Sequence, residues 1–435
     1  MSLKAKVLYA PVFLLLLISQ AYSGTLDPTF GTGGKVTVDF PFSTSNDHDS
    51  TGSYIFVQPS GRIIAVGNHR QRGGDGVTPG VVMTGLTSSG VIDGAFGGSG
   101  KTLDWMPNAF VGLSDAQLLA DGRIMRLGQF VQLFSTFSAR LYRFDVNGFT
   151  ENFSPDLHVS ESQPLPEKFA VQSDGKILVI IRNTFQNRHY LVRLNTDGSR
   201  DATFGTNGVK EIPRIGTMPD SRVFGMQILP NGRILIAGNS GFSSSTSAYD
   251  EVFLLRLSPE GYIDHSFGKL GLVRQTFGGQ RIAATDLIVQ PDNKYVVVGA
   301  VKNPDNDAMM ARFTQTGRPD FGFGNAGVVV TDFTPDGNDN FTAAKLTADG
   351  KIIAVGAALT PPSTFSNFLV AEYSANGSLE ANTQTTFTPS QNSVASNTVI
   401  QPDGKILVIG YTRNANTSIN GNVFAIARYT DITND

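Results

Sequence analysis

The sequence predicts an all-β fold: a seven-bladed β-propeller of four-stranded antiparallel blades, the ring closed by the N-terminal segment joining the C-terminal blade. Three observations carry this prediction. One turn recurs seven times at near-constant spacing, four apolar runs occupy each repeat, and the last repeat stops where a copy of the chain's opening segment should begin.

The recurring turn lies in "QPSGRIIAVG", "LLADGRIMRLG", "VQSDGKILVII", "ILPNGRILIAG", "VQPDNKYVVVG", "LTADGKIIAVG" and "IQPDGKILVIG", at Gly61, Gly122, Gly175, Gly232, Asn293, Gly350 and Gly404. Pairs such as Asp-Gly and Asn-Gly tolerate positive φ and suit a tight hairpin between the two flanking apolar runs. A third run follows in each repeat, as in "YLVRLN" and "VFLLRL", and a fourth in most, as in "GKVTVDF" and "GVVVTDF". Runs without polar alternation, such as Ile406 to Ile409, imply strands buried on both faces, as in the middle of stacked blades. Composition agrees: 47 Gly, 21 Pro and only 16% charged residues in 435 favour short strands and turns over helices.

A second element, Asp-x-x-Phe-Gly, recurs at Asp27/Phe30/Gly31, Asp93/Phe96/Gly97, Asp201/Phe204/Gly205, Asp264/Phe267/Gly268 and Asp320/Phe323/Gly324. Repeats two and six keep only an acid, Glu151 and Glu380. The paired signatures "LDPTFGTGGKV" and "QPDGKILVIG" resemble the delta-60 repeat family of secreted bacterial β-propeller proteins over essentially everything after residue 23. The resemblance implies the propeller fold and no single reaction or ligand.

The chain ends in "RYTDITND", so residues 26–40 are expected to complete the last blade. Arg143, Arg193, Arg256, Arg312 and Arg428 share one place in an otherwise apolar strand, where an unpaired charge is costly. Each is expected to pair with the acid of the following turn, so Arg428 pairs with Asp27 and ring closure rests on Asp27, Phe30, Gly31 and Arg428. Gly85 and Glu372 break the rule in repeats one and six.

Residues 1–23 read as a signal peptide: Lys4 and Lys6, an apolar run from Pro11 to Ile18 too short to span a bilayer, and small residues at Ala21 and Ser23. Residues 24–435 then form a single propeller domain of seven repeats, period about 57 residues, expected outside the cytoplasm: secreted, periplasmic or at the cell surface. The absence of Cys removes disulfides and thiolate chemistry. Without the leader, 32 basic side chains face 37 acidic ones, and no basic block with interleaved aromatics is present. Nucleic acid is therefore not an expected partner. No integral membrane segment is expected, and the chain is expected to be a monomer.

Successive strands run up and down, so both recurring turns lie on one face. The remaining loops share the other face and vary freely, which makes that face the expected site of recognition. Its candidate binding residues are Asp47, His48 and Asp49 in one loop and His69, Arg70, Arg72 and Asp75 in a neighbouring one. No catalytic or metal-binding residue is assigned, since no HExxH or nucleophile-elbow spacing occurs. No cofactor is expected. Calcium at the acidic loop Asp336 to Asn340 is the single candidate, although Phe341 and Thr347 replace the Gly and Glu of an EF-hand. Ala116, Ala170, Gly225, Ala284, Ala343 and Ala395 are expected on the innermost strands, where small side chains suit a crowded axis. Trp105 is expected to pack in a strand. The residues leave three readings open: a non-enzymatic binder of an envelope or extracellular protein or glycan, an extracytoplasmic hydrolase or lyase working through His48, His69 and nearby carboxylates with or without a divalent metal, or a structural spacer.

Overall fold

The computed structural model describes residues 24–41, 47–73, 76–104, 109–132, 137–153, 155–159, 164–186, 188–212, 221–241, 249–302, 305–359, 361–414 and 421–432. The leader 1–23, Asp75 and Trp105 lie outside the described residues. Seven antiparallel sheets follow one another along the chain. Their innermost strands are His48–Val57, Ala109–Leu118, Pro164–Val171, Arg222–Ile228, Arg281–Val289, Asp339–Leu346 and Ser393–Ile400.

Each inner strand turns into the second through five residues, from 58–62 in the first blade to 401–405 in the last. Positive φ is required there, and Asn293 supplies it at 60° where the other blades use Gly. The second and third strands are the buried ones, as the unbroken apolar runs imply: every residue of Ile177–Asn183, Ile234–Ser240 and Glu251–Leu257 is buried. The apolar clusters bridge consecutive blades, so the core is a ring of interfaces.

The N-terminus completes the last blade. Lys35–Val38 pairs with Asn422–Asp431 from Lys35↔Ala427 to Val38↔Phe424, and Thr25–Leu26 pairs with the same strand. Asp27 and Arg428, both almost fully buried, meet at 2.9 Å from Nε to Oδ2. The same pairing joins Arg193 to Asp201 at 2.7 Å, Arg256 to Asp264 at 2.7 Å and Arg143 to Glu151. Arg312 and Asp320 approach to 2.8 Å, without the alignment of a hydrogen bond.

Each guanidinium also covers the Phe of its turn, Arg428 over Phe30 at 4.6 Å and Arg193 over Phe204 at 4.4 Å. It then donates to a carbonyl of the next blade: Arg256 to Gln315 O at 2.6 Å, Arg428 to Ser88 O. The Phe ring lies against the turn glycine of that next blade. A Cβ on Gly90 would come within 2.8 Å of Phe30.

A second cation meets each acid, supplied by the basic residue that closes the five-residue hairpin. Lys405 reaches Asp27 at 3.1 Å, Lys176 reaches Asp201 at 2.9 Å and Arg233 reaches Asp264 at 2.9 Å. This cation explains the two exceptions. In blade one Arg62 takes Asp93 at 2.6 Å, and the absent side chain of Gly85 leaves room for Phe96, whose Cβ would lie 2.5 Å from a Cβ there. In blade six Lys351 bridges Glu372 at 2.7 Å and Glu380 at 2.9 Å.

Blade two differs from the four-stranded pattern of the others. Among the described residues it has three paired strands, ending with Phe137–Phe144. Its Asp-x-x-Phe-Gly turn is lost, and Pro155 has no N–H to offer a ladder. Phe153 and Leu157 are instead buried in the interface with blade three.

The alanines and the glycine expected at the axis do lie on inner strands but do not form one ring. Each inner strand carries a register shift at an equivalent place, from Gly52/Tyr54 in the first blade to Ala395/Asn397 in the last. Ala284 and Ala395 precede that bulge, Gly225 and Ala343 follow it, and Ala116 and Ala170 lie further on. The axis is an open polar channel.

Two outcomes test the closure. Asp27→Ala or Arg428→Ala leaves a buried charge without its partner and should cost about 3 kcal/mol or more. A double-mutant cycle in chemical denaturation should return a clear coupling energy, and zero coupling would reject the pairing. Burial pushes the Asp27 carboxyl up, but Thr29, Lys405 and Arg428 outweigh it and hold the group well below its ordinary value of 3.8; Asp201 is held down in the same way. An unfolded chain therefore takes up these protons first, so stability present above about pH 4 is lost as pH falls toward the depressed folded values. Melts between pH 2 and 6 should show this slope, reduced in Asp27→Asn.

Candidate functional site on the variable face

The two faces differ in construction. All seven hairpins on the Asp-Gly face have five residues, whereas connections between second and third strands range from two, between Gly73 and Gly76, to ten, between Ser240 and Glu251. A fixed length reflects a fixed set of contacts; a variable one shows that the ring does not depend on it.

The candidate residues of blade one are more ordered than the polar run "NHRQRGGDG" suggests. His69, Arg70 and Arg72 lie on the strand Ile63–Gly73, and His48 and Asp49 on His48–Val57. Ladder pairing continues from Gly52↔Gly67 outward through Ser50↔His69, Asp49↔Arg70 and His48↔Gln71. Backbone hydrogen bonds do not require apolar side chains, so a polar run extends the sheet.

Strand alternation then divides the candidates. His48, Ser50 and His69 share the face turned to blade seven, where a Cβ on Gly67 would strike Phe424. His48 and His69 are both 2% exposed, with ring centroids 5.9 Å apart. His48 Nε2 lies 2.6 Å from Asp39 Oδ1, and Ser50 Oγ lies 2.9 Å from His69 Nδ1. Burial and the neighbouring His48 lower the His69 pKa from its ordinary 6.5. These nearly buried imidazoles brace the closing blade against the first.

The other face turns toward blade two. Asp49, Thr51, Asn68 and Arg70 line a recess of about 430 Å³ together with Ser114 and Gln129. Arg70 is exposed. Asp49 Oδ1 accepts the Asn422 amide at 2.8 Å, and Asn68 Oδ1 accepts the Leu113 amide at 3.0 Å. Asp47 is half-buried beside the strand. A guanidinium, a carboxylate, amides and a hydroxyl in one recess offer directed hydrogen bonds to a polar ligand.

In the acidic loop, Asp339 serves its own turn. Its carboxylate accepts from the Phe333 amide at 2.6 Å and from the Thr334 hydroxyl at 2.7 Å. Among the described residues no group of three or more His, Asp or Glu is placed to hold a metal ion.

The axial channel was not legible as a site. It encloses about 730 Å³, lined by Tyr54, Asp115, Lys168, Asp286, Lys345 and Asn397 among others. Much of its polar wall stitches blades together. Asp115 Oδ2 accepts the Phe169 amide at 3.1 Å, Asp286 Oδ2 accepts the Ala344 amide at 3.0 Å, and the Thr285 hydroxyl donates to Phe341 O at 3.0 Å. The available signal is a polar residue in the middle of most first strands, inside runs that are otherwise largely apolar.

Five segments, residues 172–204, 229–267, 290–323, 347–382 and 401–430, match the family model described as a domain of unknown function (DUF5122) beta-propeller. The chain is a β-propeller repeat protein. Each matched segment begins at a hairpin, and the first four extend past the acid of the following turn, to Phe204, Phe267, Phe323 and Asn382. Among solved structures it is similar to a protein of unknown function from Dyadobacter fermentans, at 10% identity and a TM-score of 0.43, covering 91% of this chain and 98% of that one. It is also similar to the β-propeller domain of the Trilobed protease from Pyrococcus furiosus, at 9% identity and a TM-score of 0.45, covering 88% and 96%. No curated protein matches the sequence. Among the described residues no helix is long and apolar enough to cross a membrane.

Because the folded His69 resists protonation and the unfolded one does not, its contribution is full above about pH 6.5 and lost as pH falls below it. Thermal melts of the parent between pH 5 and 8 should drop on the acid side, and His69→Gln should flatten that segment of the profile. An identical profile in the variant would remove His69 from the account.

Proposed function

We infer that the protein is a secreted, non-enzymatic propeller of the delta-60 repeat kind that binds an envelope or extracellular protein or glycan through its variable face, after removal of residues 1–23. The observation that carries this reading is the contrast between the faces: seven hairpins of one length on one side, and on the other a recess bearing Asp49, Asn68 and Arg70 beneath connections of unequal length. The burial of His48 and His69 favours binding over acid/base chemistry.

The test uses the recess, because replacing whole segments around it would remove paired strands. Asp49→Ala with Arg70→Ala should leave blade one folded. Surface-immobilised parent protein should retain an envelope polysaccharide or protein fraction that the double variant loses by about tenfold, with the melting temperatures matched. Equal retention by the two proteins would reject the variable-face recess as the recognition site.

A further inference from the structure

Seven inner strands place one residue each at the position just after the bulge: Tyr54, Asp115, Lys168, Gly225, Asp286, Ala343 and Asn397. Elsewhere the repeats reuse the same side chains for the same contacts, yet here all but the two aspartates differ. Gly225 and Ala343 show that the ring closes without a polar side chain at this position. Asp115 and Asp286 also hold the next blade's inner strand, so it is the remaining variety that belongs to the channel.

Charge in the channel is balanced by pairs. Lys168 Nζ lies 3.3 Å from Asp115 Oδ1 and 3.4 Å from the Tyr54 hydroxyl, and Lys345 Nζ lies 3.9 Å from Asp286 Oδ2. A charged ligand would have to separate one of these pairs, whereas an uncharged one would add hydrogen bonds to both. Tyr54 and Phe56, with near-parallel rings 6.3 Å apart, both line the channel while packing against the cluster between blades one and two, so blade one adds partly exposed aromatic carbon to the wall. Gln227 from blade four and Asn397 from blade seven add amides to the same cavity. Asn397 uses only its oxygen, toward the Thr398 amide at 2.9 Å.

Aromatic carbon, uncommitted amides and paired charges with no net excess match a molecule that has an uncharged C–H face and a hydroxylated edge. The volume of about 730 Å³ is ample for one or two pyranose rings. We propose that the axial channel is a binding site for a small neutral saccharide. The site is separate from the recess beside Arg70 and does not rest on the variable-face reading.

Titration calorimetry of the purified chain with galactose, N-acetylglucosamine, lactose and maltose, with galacturonate as the charged comparator, tests this. At least one neutral sugar should bind saturably with Kd below about 1 mM. Gln227→Ala with Asn397→Ala should weaken it about tenfold at an unchanged melting temperature, because neither side chain joins two blades. Asp49→Ala with Arg70→Ala should leave it unchanged. The proposal is overturned by saturation with none of the four neutral sugars, by tighter binding of galacturonate, by equal affinity in the channel variant, or by loss of binding in the recess variant.

Discussion

The ring depends on one buried assembly: an arginine from the third strand, the acid that follows it, a second cation from the hairpin, and a phenylalanine beneath the guanidinium. Neither charge would be tolerated alone at that depth. The arginine and the acid neutralise each other, the second cation keeps part of its surface in solvent, and the guanidinium's further hydrogen bonds reach backbone carbonyls. The guanidinium reaches a carbonyl of the next blade while the phenylalanine lies against that blade's turn glycine. The pair thus sets the position of one blade on the next as well as the fold within a blade.

This arrangement accounts for the repeat's sequence grammar. A glycine three residues before the acid is needed because the neighbouring phenylalanine occupies the space of its side chain. A basic residue after each hairpin is needed because the acid has two cationic partners in most blades. Where the arginine is missing, the hairpin cation moves in, as Arg62 does in blade one and Lys351 in blade six. Specificity of geometry is retained although the donor changes.

The repeat, the closing strand and the Arg–acid pairs were legible because each is a periodic demand written several times. The hairpin cation was equally periodic, at Arg62, Arg123, Lys176, Arg233, Lys294, Lys351 and Lys405, but its proximity to the acid emerges only when the strands are placed. The candidate site was less legible. "NHRQRG" has the composition of a loop, yet the ladder carries it and alternation sends His69 inward and Arg70 outward. The bulge was invisible for the same reason: it leaves no mark on hydrophobic periodicity, yet decides which residue of each inner strand faces the channel.

The closing contact joins residues 401 positions apart. Six blades can form from local hairpins, each sheet complete in itself or nearly so. The seventh has its first three strands at one end of the polypeptide and its fourth at the other, so its outer edge stays unpaired until the N-terminal strand reaches it. During that interval the chain carries an incomplete sheet whose intended partner is its own beginning, and loss of the N-terminal strand would leave that edge open to another molecule.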